Sequence, residues 1–177
     1  MNKWPITSSR ELYKNRILTV SADLATNPRN QHQSEYYRLD FPDWINVIAI
    51  TEEDEILLIR QYRHGSKEIE LEVPGGCIDS GEDPLKAGMR ELLEETGFTG
   101  DHAEIIGTVN PNPAIQSNTC YTAFCKNARK IQEPNLDPGE DIEIIRYPLS
   151  EINEAILQGK ISNAMVIAAF HYLHLHK

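Results

Sequence analysis

Four glutamates and one arginine near the middle of the chain have the types and spacing that metal-assisted chemistry uses. The first acid precedes the arginine by eight positions, a second acid follows the arginine directly, and two more lie three and four positions further on. On a helix the last three acids share an arc of roughly 100°. Like charges at this spacing repel one another, whereas Mg²⁺ or Mn²⁺ prefers several oxygen ligands. The five residues are Glu82, Arg90, Glu91, Glu94 and Glu95.

Local signals predict the helix that positions these acids. Asp83 suits the N-cap, Pro84 the first helical position, and Gly97 a helix stop. The predicted buried face carries Leu85, Met89, Leu92, Leu93 and Thr96, with the three carboxylates pointing the other way. Two interpretations stay open at this point: a solvated acidic face in which Arg90 pairs with Glu94, or a metal-binding face.

Three further groups of polar residues are candidates for binding a substrate. Arg60 and Arg63 stand at the end of a predicted strand, either as surface charges or as a bidentate grip on phosphate. Glu72 alternates with apolar residues in "EIELEV", on a face that meets either solvent or the acidic site. The loop "NPNPAIQSN", which contains Ser117, either makes turns or reads a sugar or terminal phosphate.

The stretch 76–98 resembles the Nudix box at every fixed position. The box reads Gly, five residues, Glu, seven residues, Arg-Glu, an aliphatic residue, any residue, Glu-Glu, any residue, Gly and an apolar residue. The segments "INVIAI", "ILLIRQYR", "ELEVPGG" and "GKISNAMVIAAFHYL" are similar to the ADP-ribose pyrophosphatase branch of the Nudix hydrolases. Pro113, fifteen positions after Phe98, matches a proline that marks a preference for ADP-ribose.

The resemblance implies a role for each matching residue. The metal ligands are the Gly75 carbonyl, Glu91, Glu94, Glu95 and Glu140, with Mg²⁺ as the cation and Mn²⁺ as a substitute. Glu82 and Arg90 hold the loop to the helix, and Arg63 contacts the substrate. Catalysis falls to Glu140, Glu94 and Glu95. Pro138 stands where some relatives have a glutamate proposed as general base, so the candidates for the base are Glu140, Asp137 and Glu94, in that order.

The resemblance also implies an α/β fold, an α/β/α sandwich around a mixed sheet. A small N-terminal β unit, 1–42, would form a homodimer and complete the partner's site, and 43–177 would be the catalytic domain. The residues themselves predict a short helix capped by Ser150 and a last helix that begins near Asn163. The predicted strands are 17–22, 35–41, 45–50, 56–61, 104–109, 121–126 and 142–147.

Composition narrows the class of partner. With 17 basic and 27 acidic residues among 177, the net charge is −10, which disfavours nucleic acid as a partner. Three cysteines without metal-site spacing indicate a reduced, intracellular protein. The N-terminus has no apolar run typical of a signal peptide or membrane span, which predicts a cytoplasmic protein.

These observations favour Mg²⁺-dependent hydrolysis of a nucleoside diphosphate sugar, with ADP-ribose first. One alternative is a sensor that binds such nucleotides without cleaving them. Another is a hydrolase of other nucleoside polyphosphates, such as triphosphates, dinucleoside polyphosphates or capped RNA ends. Neither the base nor the sugar follows from the sequence.

Overall fold

The computed structural model describes residues 1–176 in two compact units. One unit comprises residues 1–42 and 110–119, and the other comprises 43–109 and the chain from 120 onwards. The predicted catalytic domain, 43–177, included the loop 110–119. This loop belongs to the first compact unit, where the Leu39 N–H donates to the Ile115 carbonyl at 2.7 Å.

The first unit is a three-stranded antiparallel sheet. Its strands are β1 (Ile6–Lys14), β2 (Thr19–Thr26) and β3 (Gln33–Asp40), in the order β1-β2-β3. The predicted strands 17–22 and 35–41 overlap β2 and β3. Every residue of β1 is exposed. Without a buried side this strand shows no regular alternation of apolar residues, and it was not predicted.

The second unit contains a mixed sheet and a small antiparallel one. The mixed sheet runs β7-β4-β9-β8, with β4 and β9 parallel and the other pairs antiparallel. The second sheet runs β10-β5-β6. The strands are β4 (Trp44–Ala49), β5 (Glu55–Arg63), β6 (Glu68–Glu72), β7 (Gly75–Cys77), β8 (Phe98–Val109), β9 (Cys120–Lys130) and β10 (Ile142–Pro148).

The α-helices that accompany these sheets within residues 1–176 are α1 (Pro84–Thr96), α2 (Ile152–Leu157) and α3 (Ala164–Leu175). Asn163 caps α3 by accepting a hydrogen bond from the Met165 N–H, at the predicted start. The predicted Ser150 cap is wrong. A 3₁₀ turn, Leu149–Glu151, precedes α2, so the helix begins after Glu151, and no side chain caps it.

The core of the second unit lies on the two faces of β4. One side packs Ile45, Val47 and Leu92 together, and the other packs Ile48 against residues of α3 such as Phe170. This arrangement confirms the predicted α/β class with a mixed sheet. It also fixes α1 closely against β4. None of the helices within residues 1–176 is long and apolar enough to cross a membrane.

Candidate active site

Helix α1 is held at both ends in the way its sequence predicts. The Asp83 carboxylate accepts a hydrogen bond from the Lys86 N–H at 3.1 Å. Gly97 has a φ of 75° and donates its N–H to the Leu93 carbonyl. A Cβ at Gly97 would lie 2.1 Å from the Gln132 carbonyl oxygen, so only glycine fits. The helix therefore stops directly after its acidic residues and presents them at a defined place.

Arg90 joins the loop before α1 to the acids on the helix. Its Nε and Nη2 donate to the Glu82 carboxylate at 3.1 and 3.0 Å, and this pairing lowers the pKa of Glu82. Its Nη1 donates to Glu91 at 2.9 Å and to Glu94 at 3.0 Å. One guanidinium thus bonds to three carboxylates and offsets part of their negative charge. The ion pair between Arg90 and Glu94, one of the two interpretations left open, is present together with this larger cluster.

Glu95 differs from the other acids because it is buried, with 3% of its surface exposed. The prediction that all three carboxylates point away from the packed side of α1 is therefore wrong for Glu95. Its Oε2 accepts a hydrogen bond from the Gly75 N–H at 2.9 Å. Burial, followed by the charges of Glu91 and Glu140, raises the pKa of Glu95 to about 8.

Glu91 lies directly against Gly76. A Cβ at Gly76 would stand 2.5 Å from a Glu91 carboxylate oxygen, which explains the glycine that opens the box. Burial raises the pKa of Glu91, and the charges of Glu94 and Glu140 add to the rise. Glu140 itself is exposed on a loop, where its Oε2 accepts from the Asp137 N–H at 2.9 Å. These mutual effects define one electrostatic cluster, the acidic cluster, which consists of Glu91, Glu94, Glu95 and Glu140.

The donor chemistry of this cluster suits a hard divalent cation. Burial and like charge disfavour ionisation of Glu91 and Glu95, and a cation bound to their oxygens would reverse both effects. Across residues 1–176, no three His, Cys, Asp or Glu side chains are already arranged around a single metal position. The present rotamers instead satisfy Arg90 and the Gly75 N–H, so binding would require side-chain rearrangement.

A cavity of about 420 Å³ adjoins the acidic cluster, and its walls include Gly75, Gly76 and Arg63. The Arg63 guanidinium donates from Nε to Oε2 of Glu72 at 2.8 Å, and its Nη2 forms an ion pair with the same oxygen at 2.6 Å. Glu72 is 2% exposed, whereas the Arg63 side chain is 48% exposed. The arginine therefore has the access that a ligand needs, and the glutamate lies behind it.

The remaining predicted contacts lie elsewhere. Arg60 forms an ion pair with Glu143 on the neighbouring strand β10 at 2.8 Å. Pro113 and Ser117 belong to the first compact unit, where the Ser117 hydroxyl donates to Asp40 at 2.7 Å. Neither observation tests the predicted contact of these residues with a substrate.

Two asparagines in the wall of the cavity were not among the predicted site residues. Asn163 donates from Nδ2 to Glu72 at 2.6 Å, across 91 positions of sequence. Asn46 has a buried Nδ2 with no hydrogen-bond acceptor among residues 1–176. The signal for Asn46 was available as the single amide within the apolar strand "WINVIA". The sequence indicated only the helix-capping role of Asn163.

Comparison with known proteins identifies the fold and the box together. The family model of the NUDIX domain matches residues 41–170, most of the chain and all of the acidic cluster. The chain belongs to the Nudix family. The predicted resemblance is thereby confirmed, and the chain is an enzyme, a Nudix hydrolase. Members of this family act on small nucleotides and generally use divalent metal ions.

The similarity to individual relatives extends over nearly the whole of this chain. The methanol dehydrogenase activator of Bacillus methanolicus is 27% identical over 170 residues, 96% of this chain and 91% of the relative. The ADP-ribose pyrophosphatase of Bacillus subtilis is 22% identical over 169 residues, 95% and 91% of the two chains. A crystal structure of an ADP compounds hydrolase superposes with a TM-score of 0.87 at 22% identity, covering 98% of this chain and 94% of the other. This last match supports the fold alone.

Proposed function

We propose that this Nudix hydrolase cleaves the diphosphate bond of nucleoside diphosphate sugars in the presence of Mg²⁺, with ADP-ribose as the favoured substrate. The products would be AMP and ribose 5-phosphate. The observation that carries the proposal is the complete acidic box on α1 beside a cavity that Arg63 lines. The name of the B. subtilis relative and the position of Pro113 favour ADP-ribose within this substrate class.

The residues of the box, together with Gly75 and Glu140, would bind the cation and assist proton transfer. Glu91, Glu94 and Glu95, with the Gly75 carbonyl and Glu140, would hold the cation. When bound, a divalent cation supplies positive charge to the diphosphate and makes a water molecule more acidic. Mn²⁺ is expected to substitute, because it has a similar preference for oxygen ligands.

The proton balance needs one base from the protein. Water adds to one phosphorus, the bridging P–O bond breaks, and the bridging oxygen leaves on the other phosphate. Glu140 would accept the proton from the water, and its exposed carboxylate is accessible for this role. Asp137 and Glu94 remain the next candidates for the base. Arg63 would bind the diphosphate or the adjoining sugar, with Arg60, Pro113 and Ser117 as further predicted substrate contacts, whereas the buried Glu72 would act through its ion pair with Arg63.

A substrate panel with products identified by mass tests the proposal. ADP-ribose, other ADP-, GDP- and UDP-sugars, nucleoside triphosphates and dinucleoside polyphosphates are incubated with Mg²⁺ and enzyme. AMP and ribose 5-phosphate from ADP-ribose support the proposal. Release of orthophosphate or pyrophosphate from triphosphates alone contradicts it and favours another Nudix substrate class. Tight binding of ADP-ribose without product contradicts it in favour of a sensor.

We also propose a cytoplasmic homodimer formed through the first unit. Its β1 strand is exposed along its whole length and carries the large apolar residues Ile6, Leu12 and Tyr13. An exposed apolar edge strand is a surface that a second copy can cover. Light scattering after size exclusion should give twice the 20.1 kDa chain mass, whereas a monomer at micromolar concentration contradicts the proposal.

A second candidate function rests on the B. methanolicus relative, which is named an activator of methanol dehydrogenase. Similarity over 96% of this chain makes the same activity a hypothesis for the present protein. Adding the protein to a methanol dehydrogenase, with and without Mg²⁺, tests it. An unchanged dehydrogenase rate excludes this candidate and leaves the hydrolase proposal intact.

A further inference from the structure

Glu72 is a buried carboxylate whose two oxygens serve different partners. Its Oε2 accepts hydrogen bonds from Nε of Arg63 at 2.8 Å and from Nε2 of Gln61 at 3.3 Å, and it forms an ion pair with Nη2 of Arg63 at 2.6 Å. Its Oε1 accepts Nδ2 of Asn163 at 2.6 Å. With 2% of its surface exposed and both oxygens engaged, Glu72 has little capacity left for a direct substrate contact.

Asn163 connects this carboxylate to the start of α3. Its Oδ1 accepts the Met165 N–H at 2.9 Å and caps the helix, while its Nδ2 donates to Glu72. The helix cap fixes which end of the amide faces Glu72. A flipped Asn163 side chain would lose the cap and oppose two oxygens, so the capped state specifies a donor at this point.

The series of hydrogen bonds from Asn163 to Glu72 and from Arg63 to Glu72 therefore determines where the exposed guanidinium of Arg63 lies. An arginine on a free surface samples many rotamers, and ordering its side chain on binding a ligand costs conformational entropy. Charge-assisted bonds from a buried, immobile carboxylate remove much of that freedom before the ligand arrives. We propose that Asn163 is a positioning residue for substrate binding, acting through Glu72 on Arg63. This inference rests on the proposed function, because it assumes that Arg63 contacts the diphosphate sugar.

A pair of substitutions that exchanges donor and acceptor tests the inference. In Glu72→Gln the new amide nitrogen faces the Asn163 Nδ2, so two donors oppose each other while the helix cap remains. In Asn163→Asp two carboxylates oppose each other, although aspartate caps helices as well as asparagine does. The double variant E72Q/N163D restores complementarity. The new amide at position 72 accepts from Arg63 and donates to the new carboxylate at position 163, and the net charge of the pair is unchanged.

The expected result is a split between KM and kcat. Each single variant should raise KM for ADP-ribose about tenfold or more, since a charged hydrogen bond contributes at least one factor of ten. The kcat should change less than about threefold, because Arg63 binds ground state and transition state alike. The double variant should recover part of the loss in KM, because the pairing of donor and acceptor returns while Arg63 then bonds to a neutral amide. The inference is overturned if the fold-increase in KM of the double variant equals the product of the two single-variant increases. It is also overturned if KM is unchanged in both folded single variants.

Tyr172→Phe is the matched control for damage to α3. It removes the 2.6 Å hydrogen bond from the Tyr172 hydroxyl to the Thr108 carbonyl, near the other end of the same helix. We expect a lower melting temperature with unchanged KM. A rise in KM equal to that of Asn163→Asp would show that general loosening of α3 accounts for the effect and would contradict the inference.

A second measurement separates failure of this inference from failure of the proposed function. If the wild-type enzyme hydrolyses no sugar nucleotide, the proposed function fails, and the Arg63 Nε–H signal in ¹⁵N-edited NMR still tests the positioning. The signal, assigned with Arg63→Lys, should exchange slowly with solvent in the wild type and the double variant and quickly in both single variants. Equal exchange in all four proteins would refute the positioning role.

Discussion

Replacing Glu95 by glutamine should make the protein more stable at alkaline pH when metal is absent, while it abolishes catalysis. The amide oxygen of glutamine can still accept the 2.9 Å hydrogen bond from the Gly75 N–H, so the local geometry is retained. The substitution removes the carboxylate that burial and the neighbouring charges of Glu91 and Glu140 disfavour. Stability and activity are therefore expected to change in opposite directions.

The size of the stability effect follows from the pKa of Glu95. Burial raises this pKa from 4.5 to about 8, so the folded protein holds the proton more tightly than the unfolded chain. The stabilisation is fully present below pH 4.5 and is lost as pH rises through about 8. Between pH 5 and 9 the wild type should lose roughly 4 kcal/mol of unfolding free energy through this group.

Urea unfolding in a chelator at pH 5, 7 and 9 measures the difference between wild type and Glu95→Gln. The comparison between the two proteins cancels titrating groups far from Glu95, and the difference should grow with pH in favour of the variant. Added Mg²⁺ should stabilise the wild type at pH 9 and have a much smaller effect on the variant. A difference that stays constant across the three pH values would refute the electrostatic reasoning. Undiminished hydrolysis by the variant would refute the proposed metal role.

Further predictions concern the glycine that opens the box and the sheet of the first unit. Gly76→Ala should reduce turnover more than tenfold with little change in melting temperature, because the new methyl group displaces the Glu91 carboxylate, whose nearest oxygen is 2.5 Å away. Gly65→Ala is the control, since a Cβ at Gly65 meets open space. Full activity in Gly76→Ala would contradict the contact. Asp23 has its pKa lowered by hydrogen bonds, first from Ser9 and then from Arg38, so its stabilisation is present above its unfolded pKa of 3.8 and is lost as pH falls through the folded value. Asp23→Asn should therefore lower the melting temperature at pH 7 and less so at pH 3, and an equal change at both values would exclude this origin.

The local features of the site were predictable because they depend on residues close in sequence. Asp83, Pro84 and Gly97 determine both ends of α1 within a few positions, and the structure has the helix between them. The start of α3 at Asn163 was predictable for the same reason. The mixed sheet was implied by the family resemblance, whereas the apolar run of β4 by itself predicted only a buried strand.

Contacts between distant residues were not predictable from spacing. The burial of Glu95 depends on the Gly75 N–H, 20 positions earlier, which makes an acid acceptable on a packed face. The engagement of Glu72 depends on Asn163, 91 positions later. The Ser150 cap failed because a 3₁₀ turn delays the helix to Ile152, a choice that hydrogen-bonding propensity alone does not determine. Such features arise from packing between segments that are distant in sequence, which the spacing of residues along the chain does not encode.

The distribution of charge along α1 gives a physical reason for the cation preference of the site. Arg90 compensates Glu82, Glu91 and Glu94 with one guanidinium, so three carboxylates share a single positive charge. Within residues 1–176, Glu95 accepts its hydrogen bond from the backbone N–H of Gly75, and the charge of Arg63 lowers the pKa of Glu95 less than burial raises it. The packing of Leu92 into the core holds the helix, and therefore its acids, in place despite their repulsion. The favourable free energy of burying the helix thus offsets the repulsion among its carboxylates. Divalent cations carry two charges that relieve this repulsion, so we expect them to bind here in preference to monovalent cations.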